Sequence, residues 1–431
     1  WMSTVRVRKR HSRLQHAIPS SHSVDEGKLV LTGALRHREM REHNIRFVLS
    51  LIQQYSPISR PELARRSGLT KASITRIIQD LRKGDLVDEY SGLYEETGGR
   101  PATLIRMKSG NQASVGIDLR IDRMTVLLRD LSGQELARHS ERSEPDSDPE
   151  IVFRRLAKTI KDLMDKYPRV LTGIGVAIGG QPSNDHTGIE ESQYLGWKHV
   201  DVRGLLREQL DVPELPCYVH DVASCAAEAN GAVGTVGGVH SLLHVQYGIG
   251  IGAAVPTVLH RITNDTINPN VVGHLPFGGE AETCEVCGWR GCVDSVLGFP
   301  SVIRRSADLG IRLSASSDFM RRYCEDLARL WISGDSNARE VVARLENDVA
   351  RLVTLMSMLQ ACSTVTIGGW PLYMGKEFVS RVERIVQSNR QTSRVEVTIS
   401  ELGDDAPVIG AAMFGAIAGI TRAFDWDSAR S

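Results

Sequence analysis

The sequence is poor in several features that would narrow its class. Only 5% of its 431 residues are aromatic and only seven are cysteine. No apolar run approaches the roughly 18 residues that cross a bilayer, so we expect no membrane insertion. Basic and acidic residues balance at 52 each, giving a formal net charge of zero. The chain is therefore no polycation, and any affinity for nucleic acid must come from a local basic patch.

The cysteines also argue against a secreted, disulfide-stapled fold. Their number is odd, and four of them stand alone in apolar surroundings: Cys217, Cys225, Cys324 and Cys362. Such usage is typical of a reducing compartment and predicts a cytoplasmic protein. The other three cysteines are crowded into residues 273–294, "GHLPFGGEAETCEVCGWRGCVD".

This stretch has the composition of a metal loop. A histidine and three cysteines are spaced H-x9-C-x2-C-x4-C, at His274, Cys284, Cys287 and Cys292. Four such ligands suit tetrahedral Zn²⁺, and a site without an open position is structural rather than catalytic. Gly288 and Gly291 would let the loop curl around the ion. The alternative is three free thiols beside an unrelated loop histidine.

The N-terminal part of the chain divides into two regions. Residues 1–40 mix basic residues, serine and histidine, and we expect a basic tail leading into a helix. The tail is either an uninvolved terminus or an arm that contacts phosphates. Residues 41–109 begin with an amphipathic helix, whose apolar positions are Ile45, Val48, Leu49 and Ile52.

A helix-turn-helix follows this first helix. Ser59 and Glu62 form a capping-box pair that opens a short helix ending at Ser67, and Gly68 breaks it. Thr70 can then cap a second helix, which ends at Gly84 and carries one apolar stripe of Ile74, Ile77, Ile78 and Leu81. Two short helices joined by a tight turn and packed on a third are typical of DNA-binding domains.

The outward face of the second helix and the hairpin after it supply the candidate DNA contacts. A recognition helix reads base edges with its N-terminal residues, which here are Lys71, Ser73, Thr75 and Arg76. The strand-like stretches Leu86–Tyr90 and Ala102–Met107 flank "TGGRP", a β-wing whose Gly99 and Arg100 suit a narrow minor groove. The alternative is a generic surface helix followed by a plain hairpin.

Residues 110–431 have the alternating pattern of an α/β fold. Apolar strands precede Gly-rich turns or helices in "RVLTGIGVAIGG", "LPCYVHDVASCAAEANGAVG", "SLLHVQYGIGIGAAVP" and "CSTVTIGGWP". This alternation predicts sites at strand ends. The strand–turn–strand opening "ASVGIDLRIDRMTVLLRDLSGQEL", together with "IGIGIGAAV", suggests two related lobes.

These motifs together resemble the ROK family of sugar repressors and sugar kinases. The family's G-H…C-x-C-G-x-x-G-C-[LV]-E motif appears here from Gly273 to Asp294, with one extra residue between the first two cysteines. The resemblance runs from the winged helix to "ELGDDAPVIGAAMFGAIAG" and implies a two-lobed, actin/hexokinase-like (ribonuclease H-like) α/β domain. The resemblance also implies a set of effector-binding residues: Gly180, Trp197, His220, Asp221, His274 and Asp294.

Two positions of the implied sugar site depart from the family. The family's Asn-Asp pair is His220-Asp221, and its glutamate three residues before the motif histidine is Val271. A carboxylate that would accept hydrogen bonds from sugar hydroxyls is thus replaced by an apolar side chain. The pocket is therefore expected to take a modified or smaller sugar, or to have lost its ligand. Asp221 has a structural alternative as the cap of a helix.

The phosphate-binding turns separate the two activities of the family. ROK kinases hold ATP with an Asp-x-Gly-Gly-Thr turn, which reads "DLRIDR" here, with Asp122 where phosphate charge would lie. The other two turns have become "YGIG", with Tyr247, and Gly368-Gly369-Trp370. Only glycine lets backbone N–H groups reach phosphate oxygens. We therefore predict no enzymatic activity and no catalytic residue, although Asp221 resembles the kinases' general base.

The sequence thus predicts a DNA-binding transcriptional regulator, a repressor of carbohydrate-use genes. Its expected partners are double-stranded operator DNA, a sugar or sugar derivative, and further copies of itself in a homodimer or homotetramer. The alternative is an ATP-dependent ROK sugar kinase with an appended DNA-binding head.

Overall fold

The computed structural model describes residues 37–91, 103–108, 110–143, 148–233, 242–256, 269–278, 283–313 and 319–423. The N-terminal part of the chain, called the head, has three helices and a small sheet among its described residues, 37–91 and 103–108. In chain order its elements are α1 (His37–Tyr55), β1 (Ile58–Ser59), α2 (Arg60–Ser67), α3 (Lys71–Lys83), β2 (Val87–Ser91) and β3 (Thr103–Met107). The strand order is β1-β3-β2, and both pairings are antiparallel.

Capping side chains fix the two short helices of the head as predicted. The Ser59 hydroxyl accepts from the N–H of Glu62 at 3.3 Å, and Gly68 ends α2 with a left-handed φ of 69°. Thr70 Oγ1 accepts from the N–H of Ser73 at 3.1 Å at the start of α3. One detail differs from the predicted capping box. The Glu62 carboxylate accepts hydrogen bonds from the side chains of its neighbours Arg65 and Arg66.

Both predicted wing strands are present: β2 is shifted by one residue relative to Leu86–Tyr90, and β3 ends at Met107 as predicted, while Ala102 lies outside the described residues. Val87 pairs with Met107 and Ser91 with Thr103. The two-residue strand β1 also pairs with β3, through Ile58 and Ile105. This third strand was not predicted, because a strand of two residues has no periodicity. The loop with Gly99 and Arg100 lies outside the described residues.

The first lobe of the large domain is built on a five-stranded sheet of order β11-β7-β4-β5-β6. Strands β4, β7 and β11 run parallel, whereas β5 and β6 follow β4 as an antiparallel meander. A small antiparallel sheet, β8-β9-β10, extends from the end of β7. The elements are β4 (Gln112–Leu119), β5 (Arg123–Asp130), β6 (Glu135–Arg142), α4 (Pro149–Lys166), β7 (Val170–Ile178), β8 (Gln181–Pro182), β9 (Ile189–Ser192), β10 (Trp197–Val200), α5 (Val202–Leu210), β11 (Cys217–Asp221) and α6 (Val222–Val233).

The second lobe has a four-stranded sheet of order β13-β12-β14-β15, covered by helices. Its elements are β12 (Leu242–Tyr247), β13 (Ile251–Ala254), α7 (Val293–Leu297), α8 (Phe299–Asp308), α9 (Phe319–Ser333), α10 (Ser336–Gln360), β14 (Thr364–Gly369), α11 (Trp370–Met374), α12 (Lys376–Ser388) and β15 (Glu396–Ile399). Two 3-10 helices, Pro269–His274 and Gly403–Asp405, flank the crevice, and α13 (Ala406–Ala423) completes the fold.

Each lobe has its own apolar core, and α13 packs on the first lobe through glycines. A Cβ on Gly175 of β7 would lie 1.8 Å from the carbonyl oxygen of Ala411, and one on Gly116 of β4 would lie 2.2 Å from that of Val408. No side chain fits in either place, so α13 lies directly on the backbone of the central strands. The C-terminal half of the same helix reaches the head, where Ala416 and Ile420 belong to the apolar cluster around Ile45.

The strands predicted for the large domain are all present. Strand β6 is one of those that were not predicted. Its half-exposed residues, from Glu135 to Arg142, lack an apolar pattern because the strand lies at the sheet edge. None of the described helices combines the length and apolar character that crossing a lipid bilayer requires.

We predict that Gly175→Ala destabilises the protein by about 1–3 kcal/mol or more, because its methyl group would overlap the backbone of α13. Thermal or denaturant unfolding measures this loss. Gly110→Ala is the matched control, since a Cβ there meets no atom within 4 Å. An unchanged midpoint for Gly175→Ala would contradict the close approach of α13 to β7.

Candidate functional site

The crevice between the lobes contains a cavity of about 520 Å³. Its walls come from the carboxyl ends of β4, β7, β11 and β12, which is where open α/β sheets place their sites. One group of wall residues is Asp221, His274 and Asp294, and we call it the sugar end after the predicted effector site. A second group is Arg120, Asp122, Arg123, Tyr373 and Asp404, and we call it the phosphate end after the predicted phosphate-binding turn.

Four of the six predicted effector residues line this cavity: Gly180, Asp221, His274 and Asp294. Gly180 has a φ of 146°, and a Cβ on it would lie 2.6 Å from the carbonyl oxygen of Glu191. Glycine therefore lets β9 approach the end of β7. The sequence brought these four residues to attention because each follows a strand or belongs to the metal loop, and their role as effector contacts stays a prediction.

The two carboxylates at the sugar end are held by backbone groups. Asp221 accepts from the N–H of Ser224 at 2.9 Å at the start of α6, so it acts as a helix cap while also facing the cavity. Asp294 Oδ1 accepts from the N–H of Ile251 at 2.7 Å, and Oδ2 lies 3.9 Å from His274 Nδ1. Burial raises the pKa of both carboxyl groups.

Trp197 and His220 do not reach the cavity wall, which corrects their prediction as effector contacts. Trp197 is 5% exposed and packs in the first lobe's core, 5.9 Å from the Phe153 ring. The His220 ring lies between His186, at 4.5 Å, and Phe414 of α13, at 3.9 Å. Burial, reinforced by His186, lowers the pKa of His220 to about 3. Alternation along β11 turns His220 to the opposite face from Asp221, whereas Trp197 is held in the core of the first lobe.

The structure adds cavity residues that sequence reasoning missed, among them Gln181, Glu191, Tyr194 and Gln246. Glu191 forms an ion pair with Lys198 at 2.9 Å. Tyr194 lies in the turn between β9 and β10, three residues before Trp197. Burial, reinforced by the charge of Asp294, raises the pKa of Tyr194, so its hydroxyl stays protonated.

The phosphate end is filled by a network around Asp404. Arg120 donates to Asp118 Oδ2 at 2.7 Å and to the carbonyl oxygen of Asp404 at 2.7 Å. The Asp404 carboxylate accepts from Arg321 at 3.0 Å and from the Tyr373 hydroxyl. Arg123 lies 3.8 Å from the same carboxylate. The network joins the first turn of the large domain to helices of the second lobe.

Charge interactions decide how the carboxyl groups of this network titrate. Burial alone would raise the pKa of Asp404, but Arg120 and the hydrogen bonds from Tyr373 and Arg321 outweigh it and hold the pKa below its usual range. Burial raises the pKa of Asp118, although Arg120 acts in the opposite direction. The guanidinium of Arg120 stays charged, because the two carboxylates raise its pKa.

The predicted metal ligands come together at the rim of the cavity. One donor atom each from His274, Cys284, Cys287 and Cys292 lies within 4.8 Å of all the others. A tetrahedral Zn²⁺ with bonds of ~2.0–2.3 Å needs donor atoms about 3.3–3.8 Å apart. The four donor atoms would therefore have to move only slightly closer together to bind the ion. Gly288 and Gly291 turn the loop with positive φ values of 72° and 77°. The four residues fit a metal ion.

The predicted DNA-contacting residues of α3 differ in exposure. Lys71 and Arg76 are exposed, and neither forms an ion pair with a described residue. Ser73 and Thr75 are half-buried, and their hydroxyls are engaged within the helix, with Thr70 and with the carbonyl of Lys71. The apolar stripe is buried as expected, with Ile74, Ile78 and Leu81 at 0% exposure.

Comparison with known proteins distinguishes the same two regions, the large domain and the N-terminal head. Residues 114–416 match the model of the ROK family, and residues 42–88 match a winged helix-turn-helix DNA-binding model. The chain belongs to the ROK family. Its large domain is a two-lobed ROK domain, preceded by a winged helix-turn-helix.

Several ROK relatives are similar over most of their length. The xylose repressor of Caldicellulosiruptor bescii is 23% identical over 87% of this chain and 95% of its own. The DNA-binding transcriptional dual regulator NagC of Escherichia coli is 25% identical over 86% of this chain and 92% of its own.

Among solved structures, a ROK family transcriptional regulator, described as a homolog of the E. coli MLC protein, has a TM-score of 0.69. It is 19% identical and covers 89% of this chain and 98% of its own. A ROK hexokinase from Thermus thermophilus has a TM-score of 0.59 at 20% identity, over 72% of this chain and 99% of its own. The fold is thus common to regulators and kinases.

We predict that Asp404→Asn lowers the thermal midpoint by several degrees at neutral pH, because it leaves three arginines without their shared carboxylate. The pKa of Asp404 is depressed in the folded state, so its stabilisation is present above the unfolded pKa of about 4 and is lost as the pH falls through the folded value. The difference between the two proteins should therefore shrink as the pH falls below about 4.

Asp326→Asn serves as the control for this experiment, since Asp326 pairs only with the exposed Arg329. Its midpoint should follow that of the wild type at every pH. A difference for Asp404→Asn that stays constant with pH would show that its charge does not stabilise the crevice.

Proposed function

We propose that this protein is a DNA-binding transcriptional regulator that represses carbohydrate-use genes and senses a sugar or sugar derivative in its ROK domain. The observation that carries the proposal is the exposed face of α3, where Lys71 and Arg76 have no described ionic partner inside a winged helix-turn-helix. The names of the relatives, repressors of xylose and N-acetylglucosamine use among them, support it.

The division into domains follows the same proposal. Residues 1–40 are a basic tail and leading helix, residues 41–109 bind DNA, and residues 110–431 sense the effector and oligomerise. The two family matches, 42–88 and 114–416, fall inside the second and third of these ranges. The DNA-contacting set is Lys71, Ser73, Thr75, Arg76, Gly99 and Arg100, of which Lys71 and Arg76 have the required exposure in the described part.

The phosphate end supports an inactive, kinase-like sensing domain. An ATP-binding turn needs backbone N–H groups that face the phosphates across small residues. In the described structure this turn instead carries Arg120, whose guanidinium is already bound to Asp118 and to Asp404. A triphosphate would have to displace those carboxylates, which lie where its own negative charge would come.

A sugar kinase with an appended DNA-binding head is the second candidate. One observation favours the kinase: Asp221, which resembles the general base of ROK kinases, lies on the cavity wall. Its hydrogen bond to Ser224 at the start of α6 gives the same residue a structural reason to be there. A base without a bound phosphoryl donor transfers nothing.

Effector binding would act on DNA through the relative position of the lobes. A ligand between Asp221 and Asp294 contacts both lobes and so favours one closure over the other. Two heads, joined in a homodimer or homotetramer, would meet successive major grooves of a palindromic operator, and lobe closure would change their spacing. We place this activity in the cytoplasm of a bacterium, at the nucleoid when DNA is bound.

We also propose that the cluster at His274 holds a structural Zn²⁺. Three thiolates and one imidazole are the donor set that zinc prefers, and the set leaves no open position for catalysis. Bound there, the ion supplies a cross-link in place of an apolar core. His274 both belongs to the metal site and lines the cavity, so the loop would fix one wall of the effector site.

We predict that Arg76→Ala and Arg100→Ala each weaken binding to the protein's own promoter DNA by about 1–3 kcal/mol and flatten its salt dependence, because each removes a cationic contact. Fluorescence anisotropy at several salt concentrations measures both effects. Addition of a sugar that binds the cavity should shift the operator affinity of the wild type.

Arg344→Ala is the matched control, since Arg344 is 60% exposed on α10, where it pairs with Glu340. Unchanged DNA binding by both head variants would refute the assignment of the head. Turnover of ATP with any member of a panel of hexoses and amino sugars would refute the inactive sensing domain and favour the kinase.

We predict about one Zn²⁺ per chain in freshly purified protein, measured by elemental analysis. Cys287→Ser should lose the metal and lower the thermal midpoint, because the loop would lose its cross-link. Cys362→Ser is the control and should keep the metal, since Cys362 lies outside the cluster. A zinc content near zero in the wild type would count against the site.

A further inference from the structure

Tyr194 spans the crevice between the two lobes. It lies in the β9–β10 turn of the first lobe, where the neighbouring side chains of Leu195 and Trp197 are each 5% exposed. Ser192 also donates to the carbonyl oxygen of Gly179 at 2.5 Å, which ties the start of the turn to the end of β7. The turn is thus anchored on both sides of Tyr194, and the position of its ring is well defined.

Two glycines make room for this ring. A Cβ on Gly179, at the end of β7, would lie 3.3 Å from the ring atom Cδ2 of Tyr194. A Cβ on Gly250, in the β12–β13 turn of the second lobe, would lie 2.0 Å from its hydroxyl oxygen. The ring therefore extends from one lobe to the backbone of the other, and any larger residue at position 250 would displace it.

The Tyr194 hydroxyl lies beside the carboxylate of Asp294. That hydroxyl and Asp294 Oδ2 are both within 3.0 Å of the point where a Cβ on Gly250 would be. Oδ1 is occupied by the N–H of Ile251, so Oδ2 is the oxygen left for a ligand. The hydroxyl makes no hydrogen bond with a described residue and is free to bond a ligand hydroxyl that approaches Oδ2.

We infer that Tyr194 is the residue that limits the size of the effector, admitting an unsubstituted monosaccharide and excluding one with a bulky substituent beside Asp294. This inference rests on the proposed sugar-sensing function. A sugar hydroxyl bound to Oδ2 must pass along the Tyr194 ring and meet its hydroxyl. A hydroxyl fits there as a hydrogen-bond donor or acceptor. An N-acetyl group in place of that hydroxyl would collide with the Tyr194 ring, so the sugar would be excluded sterically.

The test is isothermal titration calorimetry of the full-length protein with D-xylose, D-glucose and N-acetyl-D-glucosamine. The wild type should bind at least one unsubstituted sugar at least about tenfold more tightly than the N-acetylated one. In Tyr194→Ala this preference should fall by about tenfold or more, because the removed ring opens space for the acetyl group. In Tyr194→Phe the preference should persist, with affinity about three- to tenfold lower for the lost hydrogen bond.

Tyr167→Ala is the control, because Tyr167 is 40% exposed at the end of α4 and does not line the cavity. An unchanged preference in Tyr194→Ala, a wild type that prefers the N-acetylated sugar, or an unchanged affinity in Tyr194→Phe would each overturn the inference while leaving the sugar-sensing function intact. If Tyr194→Ala does not fold, Tyr194→Phe, which keeps the ring, still tests the inference through its expected loss of affinity. No sugar binding by the wild type or any variant would overturn the proposed function itself.

Discussion

The contact between α13 and the central strands is the constraint on which the rest of this structure depends. Gly116 and Gly175 bring the helix onto the backbone of β4 and β7, where no side chain would fit. A Cβ on Gly410 of α13 would likewise lie 1.8 Å from the carbonyl oxygen of Cys225, so α6 is equally close. Both helices are therefore fixed relative to the first lobe's sheet, and whatever they carry has a defined position.

The two ends of α13 connect regions that are far apart in the sequence. Asp404 and Asp405 immediately precede the helix, and they accept from Arg120 and Arg138 of the first lobe. At the other end, Ala416 and Ile420 are part of the apolar core of the head. One packed helix on the first lobe thus contacts both the crevice and the apolar core of the head.

The two ends of the crevice differ in what their side chains bind. In the turn after β4, the half-buried Arg120 lies between the carboxylates of Asp118 and Asp404, and Tyr373 and Arg321 complete the network. At the sugar end, Asp221 and Asp294 instead accept hydrogen bonds from backbone N–H groups.

The sequence alone determined the elements whose cause is local. Caps at Ser59 and Thr70, the stripe of α3, the apolar strands and the spacing of His274 with its three cysteines all depend on residues close in the chain, and these predictions agree with the structure. What the tertiary structure decided depends on residues far apart. The partnership of Arg120 with Asp404, 284 positions away, has no sequence pattern, and the same holds for Tyr194 against Gly250. Trp197 and His220 were assigned to the cavity by resemblance, but the packing of their rings on Phe153 and Phe414 turns them elsewhere. Which face of a strand meets the crevice is set by how the lobes pack, and no local pattern encodes that.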